Sequence, residues 1–257
     1  MYDIDVIFLS DGKSDALRDM TAKAVATLLA SEPATAVCFH VYVIESCSAL
    51  CPFQYPGTET IYPKRRFGYN AFMNMGIAKG TSPFVCMCNN DLVFHPNWAS
   101  NIIAAMEADA TLLSASPICH DHHPARGFLP DTGNFPGYTV AHQLCGWCIF
   151  VRRQLFSQVG MLDEQYRFWY CDSDYAKTLE AHQLKHALIT TARVDHLRST
   201  TLKTLPPHEA VFLTSKQELY YARKWIDHSA LKYYVRLTKS WIAYVMDSLF
   251  YKDNRSG

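Results

Sequence analysis

The chain has 257 residues, of which 49% are hydrophobic and 19% charged, enough apolar material for one domain with a substantial core. Its 24 acidic and 24 basic residues balance, which excludes a strongly polycationic protein and leaves room only for a local basic face. Asp3, Asp5, Asp11 and Asp15 interrupt the opening and no uninterrupted apolar run reaches membrane-spanning length, so the expectation is a soluble, cytoplasmic protein without stable membrane insertion. The nine cysteines are scattered, and those in apolar strands (Cys38, Cys86, Cys88, Cys145, Cys148) read as small buried thiols of a reducing compartment. Cys145-Gly-Trp-Cys148 lacks the second cysteine pair of a zinc site and continues as strand-like residues.

In chain order, Ile4 to Leu9 predicts a strand ending at Ser10-Asp11-Gly12, and Ser14 caps a helix whose apolar positions Leu17, Met20, Ala24 and Leu28 recur at helical spacing. Val37 to Ile44 predicts a second strand, closed by Glu45-Ser46-Cys47-Ser48, and Thr58 to Tyr62 a short third one. A helix follows from Tyr69 to Lys79, stopped by Gly80. Val85 to Cys88 has the character of a buried central strand that delivers Asn89-Asn90-Asp91 at its carboxyl end, where α/β sheets gather ligands. Asn-Asn-Asp is equally the composition of a plain polar turn.

Leu92 to Phe94 continues briefly, Trp98 to Met106 predicts a helix, and Leu112 to Ser116 another strand. The Pro- and Gly-rich stretch 117–139 reads as a long loop, and its Cys119-His120-Asp121-His122-His123 cluster has no partner at metal-ligand spacing. Gly146 to Val151 is strand-like, Arg152 to Phe156 opens a helix, and 159–164 is a turn. Phe168-Trp169-Tyr170-Cys171-Asp172-Ser173-Asp174 leads into another helix, where the two acids are also what the macrodipole favours at a helix start. A late strand runs from near Ala187 to His196, with Ser199-Thr200-Thr201 after it. Two helices, about 208–226 and 229–250, then carry aromatic and basic residues mixed together. This is a pattern of nucleic-acid or membrane surfaces and equally of an amphipathic pair packed over a sheet. Residues 1–205 are thus expected as the main domain and 206–257 as a helical segment packed on it.

The alternation of strands and helices implies a mostly parallel sheet with right-handed crossovers. The first strand carries neither a Gly-x-Gly-x-x-Gly turn nor a Walker loop, so a phosphorylated ligand would need another neutraliser, such as a divalent cation held by carboxylates.

The ordered set Glu45 to Ser48, Asn70-x-x-x-Asn74-x-Gly76, Asn89-Asn90-Asp91, Gly146 with Arg152-Arg153, Gly160-x-x-Asp163-Glu164, Asp172 and His196 resembles the GT-A fold glycosyltransferases of the inverting family two, over about 4–201. Phe67-Gly68-Tyr69-Asn70 and Cys88 to His95 also look like phage-borne members that place sugars on hydroxylated pyrimidines of viral DNA. The resemblance implies an α/β GT-A fold with a carboxyl-terminal helical extension and a nucleotide-sugar donor, by default a UDP-sugar. It assigns Asp91 and His196 to a divalent cation, Mn²⁺ or Mg²⁺, with the imidazole tilting the choice towards Mn²⁺.

Asp172 falls at the position of the catalytic base, with Cys171 replacing the usual Glu and Asp174 as the fallback. Glu45 and the Ser10, Asp11 turn fall at the nucleotide, with Asn70, Asn74, Asn89 and Asn90 on the donor side and Trp147, Trp169 and Tyr170 on the acceptor side. Asn70 and Asn74 equally suit tying their helix to a loop, and Arg65, Arg66, Arg152 and Arg153 suit either phosphate contact or solvation. Asn89 stands where the family has Asp, which leaves metal dependence open.

The favoured acceptor is hydroxylated or hydroxymethylated pyrimidine in phage DNA, with a cell-surface glycan or lipid-linked acceptor as the competitor. From other classes, a nucleotidyltransferase would want a Gly-rich loop after the first strand, and a non-catalytic binder of nucleic acid or sugar nucleotide would bind without turnover.

Overall fold

The computed structural model describes residues 1–197 and 207–253. Strand β1 (Tyr2–Ser10) lies at the centre of a parallel group with β2 (Val37–Glu45), β3 (Glu59–Ile61) and β4 (Phe84–Cys88). Beyond β4 the sheet becomes mixed. Strand β8 (Cys148–Arg152) runs antiparallel between β4 and β6 (Leu112–Ile118), β6 pairs in parallel with β9 (Lys185–His196), and β5 (Leu92–Phe94) and β7 (Asn134–Pro136) pair antiparallel with β9. The order is β3-β2-β1-β4-β8-β6-β9-β5.

Both faces of the sheet are covered, which explains why β1 is continuously apolar from Val6 to Leu9 rather than alternating. Ile4, Val6 and Phe8 pack with α1 (Asp15–Ala30) and α3 (Trp98–Ala108). Ile7 and Leu9 pack on the other side with α2 (Tyr69–Lys79) and α5 (Cys171–Ala181). Each such fully buried aliphatic or aromatic side chain contributes about 1.5–3 kcal/mol. Ser14 caps α1 by accepting from Leu17 N, and α2 stops at Gly80, as the residues of both ends predict.

The differences from the sequence expectation arise mainly where distant parts of the chain meet. Leu92 to Phe94 is a separate strand that leaves β4 to pair with β9, and three residues of the supposed loop 117–139 form β7 on the other edge of β9. Arg152 ends β8, and the helix after it, α4, begins at Leu155. Arg152 donates to Met106 O at 2.9 Å, while Arg153 pairs with the buried Asp5 and donates to Ser82 O and Ile77 O at 2.5 and 2.8 Å, so both guanidinium groups are committed to the fold rather than to phosphate. Arg65 forms an exposed pair with Glu164 at 2.9 Å.

Cys86, Cys88 and Cys148 are buried, with sulfur separations of 3.3, 3.7 and 4.0 Å, whereas Cys38 is only half-buried. His123 is an internal tether: Cys119 N donates to its Nδ1 at 2.7 Å, and burial pushes its pKa down to about 4. Among the described residues, the stretch Cys119 to His123 gathers no set of three ligand atoms at metal distance.

The carboxyl-terminal segment forms α6 (Pro207–Trp225) and α7 (Ala230–Asp253). The expected boundary at 205/206 and the hydroxyl run Ser199-Thr200-Thr201 lie outside the described residues.

Candidate active site

The carboxyl ends of β1, β2 and β4 meet in one chain of hydrogen bonds. Asn90 Nδ2 donates to Thr21 Oγ1 at 2.9 Å, Thr21 Oγ1 lies 3.0 Å from Ser10 Oγ, and Ser10 Oγ lies 3.0 Å from the Tyr55 hydroxyl. Tyr55 donates to Glu45 Oε2 at 2.9 Å, and Glu45 Oε1 accepts from Gly12 N and Cys47 N at 2.9 and 2.7 Å. Burial, with the Glu45 carboxylate adding to it, pushes the Tyr55 pKa up to about 12, so it is a permanent donor. Glu45 is only 1% exposed, and both its oxygens are engaged in shaping the turns after β1 and β2. Asp11, by contrast, sits at the surface in a pair with Lys13 at 3.0 Å.

Pairing of β5 with β9 sets Leu92 opposite His196 and so brings His196 to Asp91. Asp91 Oδ2 and His196 Nε2 are 3.1 Å apart, with Asp91 buried. Two neighbouring ligands of an octahedral ion with bonds of about 2.1 Å stand about 3 Å apart, so the pair fits a hard divalent cation as two adjacent ligands. Trp147 lies parallel to the His196 ring at 5.0 Å, and Trp147 O accepts from Asn89 N at 2.9 Å, which joins β4 to the turn before β8.

A cavity of about 250 Å³ opens beside this pair, lined among others by Asn70, Asn89, Trp147, Trp169, Tyr170 and Asp172. Asp172 stands in the first turn of α5, and its carboxylate is bonded by Ser173, whose N donates at 2.8 Å, and by its own backbone N–H. Burial raises its pKa above the usual carboxylate range, against the lowering effect of those bonds. Gly146 allows its approach: a Cβ there would sit 2.9 Å from Asp172 Cβ, closer than real contacts permit. Tyr170, just before the helix, has φ 61°, a left-handed conformation costly for a large side chain.

The remaining predicted residues separate by what they touch. Asn74 uses both ends of its amide on Leu162, and Asn70 donates to Asp163 O at 2.9 Å while also lining the cavity, so both tie α2 to the 162–164 turn. Asp174 is not among the lining residues. Its carboxylate accepts from Trp225 Nε1 at 2.7 Å and meets Lys224 Nζ at 2.8 Å, which makes it the anchor of α6 rather than a second base.

Several participants escaped sequence reasoning. Gln217 Oε1 accepts from the backbone N–H of Arg167, Phe168 and Trp169 at 2.8 to 3.0 Å, so α6 fixes the aromatic rim of the cavity. Tyr69, whose hydroxyl donates to Gly146 O at 3.1 Å, braces the opposite wall. No spacing signal marks Tyr55, Thr21 or Gln217, because each reaches the site from a distant part of the chain.

A mixed sheet with a carboxylate–imidazole pair at its strand ends, beside a carboxylate-lined cavity, defines a protein of GT-A fold. Residues 1–160 match the family model described as glycosyl transferase family 2, and the chain belongs to that family. No curated protein sequence matches it. Among solved structures it is similar to GalNAc-T7 with UDP, GalNAc and Mn²⁺, at 12% identity and a TM-score of 0.64, over 91% of this chain and 53% of that one. It is also similar to the mannosyltransferase PcManGT from Pyrobaculum calidifontis in complex with GDP-Man and Mn²⁺, at 11% identity and a TM-score of 0.60, over 92% of this chain and 68% of that one. The chain therefore spans about half the length of the first and about two thirds of the second, and the likeness is one of fold.

Proposed function

We propose that the protein is an inverting glycosyltransferase that moves a sugar from a nucleotide-sugar donor, by default a UDP-sugar, to an acceptor hydroxyl. Its main support is Asp172, a half-buried carboxylate of raised pKa on the cavity wall, on the same cavity as Asn89 and Trp147 and so next to the Asp91–His196 pair. Asp172 takes the acceptor's hydroxyl proton as the oxygen bonds to the anomeric carbon and the bond to the nucleoside diphosphate breaks, which inverts that carbon. A raised pKa matches this proton transfer near neutral pH better than that of an ordinary carboxylate.

Asp91 and His196 would hold a divalent cation, Mn²⁺ or Mg²⁺, which when bound neutralises the departing diphosphate. Asn89 brings an amide rather than a second carboxylate to the metal side, so the ion there rests on fewer charges. The Glu45–Tyr55–Ser10 network holds the turns where the nucleoside would lie.

The favoured acceptor is a hydroxylated or hydroxymethylated pyrimidine in phage DNA, and the working place of the enzyme the cytoplasm. Trp147, Phe168, Trp169, Tyr170 and Tyr69 give the cavity an aromatic lining of the kind that takes a planar base. A lipid-linked or cell-surface glycan acceptor is the second reading, favoured by the exposed apolar side of α7. Incubation with a panel of nucleotide sugars and Mn²⁺, read as a mass shift on modified and on plain DNA, tests the first. A sugar-sized shift on modified DNA alone is expected. Donor hydrolysis without any DNA shift would move the acceptor to the second reading, and DNA binding with neither hydrolysis nor transfer would make the protein a binder.

A further inference from the structure

Helix α7 has two apolar faces and packs mainly with one of them, the other touching α6 at its border, where Arg223 lies 5.6 Å from the Tyr234 ring. Tyr233, Leu237 and Tyr244, with Ser240 between them, are half-buried at helical spacing, and α7 packs on α6, where Arg223 lies 5.1 Å from the Tyr233 ring. The second face consists of Leu231, Tyr234, Val235, Trp241, Ile242 and Met246, with exposures from 46% at Val235 to 77% at Leu231. At 3.6 residues per turn these six fall within an arc of about 140°. Lys232, Arg236 and Lys239 lie along one edge of that arc, and no Asp or Glu occurs between Asp227 and Asp247.

We propose that this face of α7 docks on the surface of an anionic phospholipid bilayer, with the helix lying in the plane of the interface. No helix among the described residues is long and apolar enough to cross a membrane, so the contact is interfacial. The chemistry matches such a surface: an apolar stripe that includes Trp and Tyr enters the headgroup boundary, and the row of cations meets lipid phosphate.

A second copy of the chain fits less well. Antiparallel pairing of two α7 helices through the stripe brings the two Lys232–Lys239 edges together, and parallel pairing sets those cations against Tyr234 and Trp241. Asp247 is the one carboxylate near the stripe, so in an antiparallel pair it can answer only one of the three cations, and in a parallel pair it answers none of them across the seam. DNA would take the cations and leave the apolar stripe uncovered. Through Gln217 and Lys224, α6 joins the docked helix to the rim of the cavity. The proposal stands whichever acceptor the enzyme uses.

The test is co-sedimentation of the full chain with vesicles of phosphatidylcholine alone and of phosphatidylcholine mixed with phosphatidylglycerol. Binding is expected to the mixed vesicles, weakening with added salt. Joint replacement Lys232→Glu, Arg236→Glu and Lys239→Glu should lower partitioning by on the order of tenfold or more. Trp241→Ser with Ile242→Ser should abolish binding, with circular dichroism and donor hydrolysis unchanged, and Trp241→Phe should retain most of it. Absence of vesicle binding overturns the proposal. If the protein then runs as a dimer that the Trp241→Ser, Ile242→Ser variant separates, the stripe belongs to a second copy; if DNA binding is what that variant loses, it belongs to nucleic acid.

Discussion

The two halves of the site use their carboxylates in opposite ways. At the ends of β1 and β2, Glu45 has both oxygens occupied by Gly12, Cys47 and Tyr55, all from its own surroundings. At the start of α5, Asp172 is bonded by its own N–H and by Ser173, both within one helical turn, and faces a cavity. Two residues on, Asp174 repeats the pattern of Glu45, held by Lys224 and Trp225. A buried acid that its own fold has already satisfied on both oxygens shapes a pocket, whereas one that is desolvated and left facing the pocket is poised to take a proton.

The strongest way to break this contrast is at the metal side of the open half. Asp91→Ala should weaken Mn²⁺-dependent UDP binding by roughly a hundredfold or more, since loss of even an outer partner of a metal ligand costs 10–100-fold. Titration of UDP with and without Mn²⁺ reads it, and an unaltered titration would remove Asp91 from that role. Gly146→Ala tests the approach of Asp172 without touching its chemistry. Displacing a reacting group by about 1 Å costs on the order of 10² in kcat, so a large fall in turnover with UDP affinity kept is expected.

The satisfied carboxylates should respond in stability instead. Lys224→Ala leaves Asp163 and the buried Asp174 without their cation and should cost about 2–3 kcal/mol in urea unfolding, below the full cost for a buried pair because Lys224 is partly solvated. Tyr55→Phe removes one hydrogen bond from Glu45 and one from Ser10 and should cost about 1–2 kcal/mol, with a few-fold rise in the Kd for UDP. A loss of turnover at unchanged stability in either variant would erase the distinction between the two kinds of acid.

How far the sequence was legible follows from the range of the interactions. The bounds of α2 and the cap of α1 rest on residues within a few positions of each other, and Gly80 and Ser14 announce them. The apolar run of β1 signals a strand covered on both faces. What periodicity does not carry is pairing at long range: nothing in Leu92-Val93-Phe94 says that it leaves β4 for β9, although that crossing is what brings His196 to Asp91. The same holds for roles within the site. Residue type identifies Glu45, Asp172 and Asp174 alike as acids beside a ligand, and only their partners, Tyr55 in one case and Lys224 in another, divide them. Arg153 shows the converse, a surface-like basic residue whose charge answers the buried Asp5 on β1.

Asp172 also ties activity to stability with opposite signs. Its pKa in the folded protein is raised by burial, so its contribution to stability is present when it is protonated and is lost as pH rises through that pKa, while turnover needs the ionised form and rises over the same interval. The most direct test is therefore Asp172→Asn, measured as transfer rate, UDP affinity and melting temperature across that pH range. Transfer should fall by on the order of 10²–10⁴, UDP affinity should stay nearly unchanged, and the melting temperature should lose part of its decline with rising pH. Substantial residual turnover, or a loss of UDP binding equal to the loss of transfer, would contradict the assignment of Asp172 as the base.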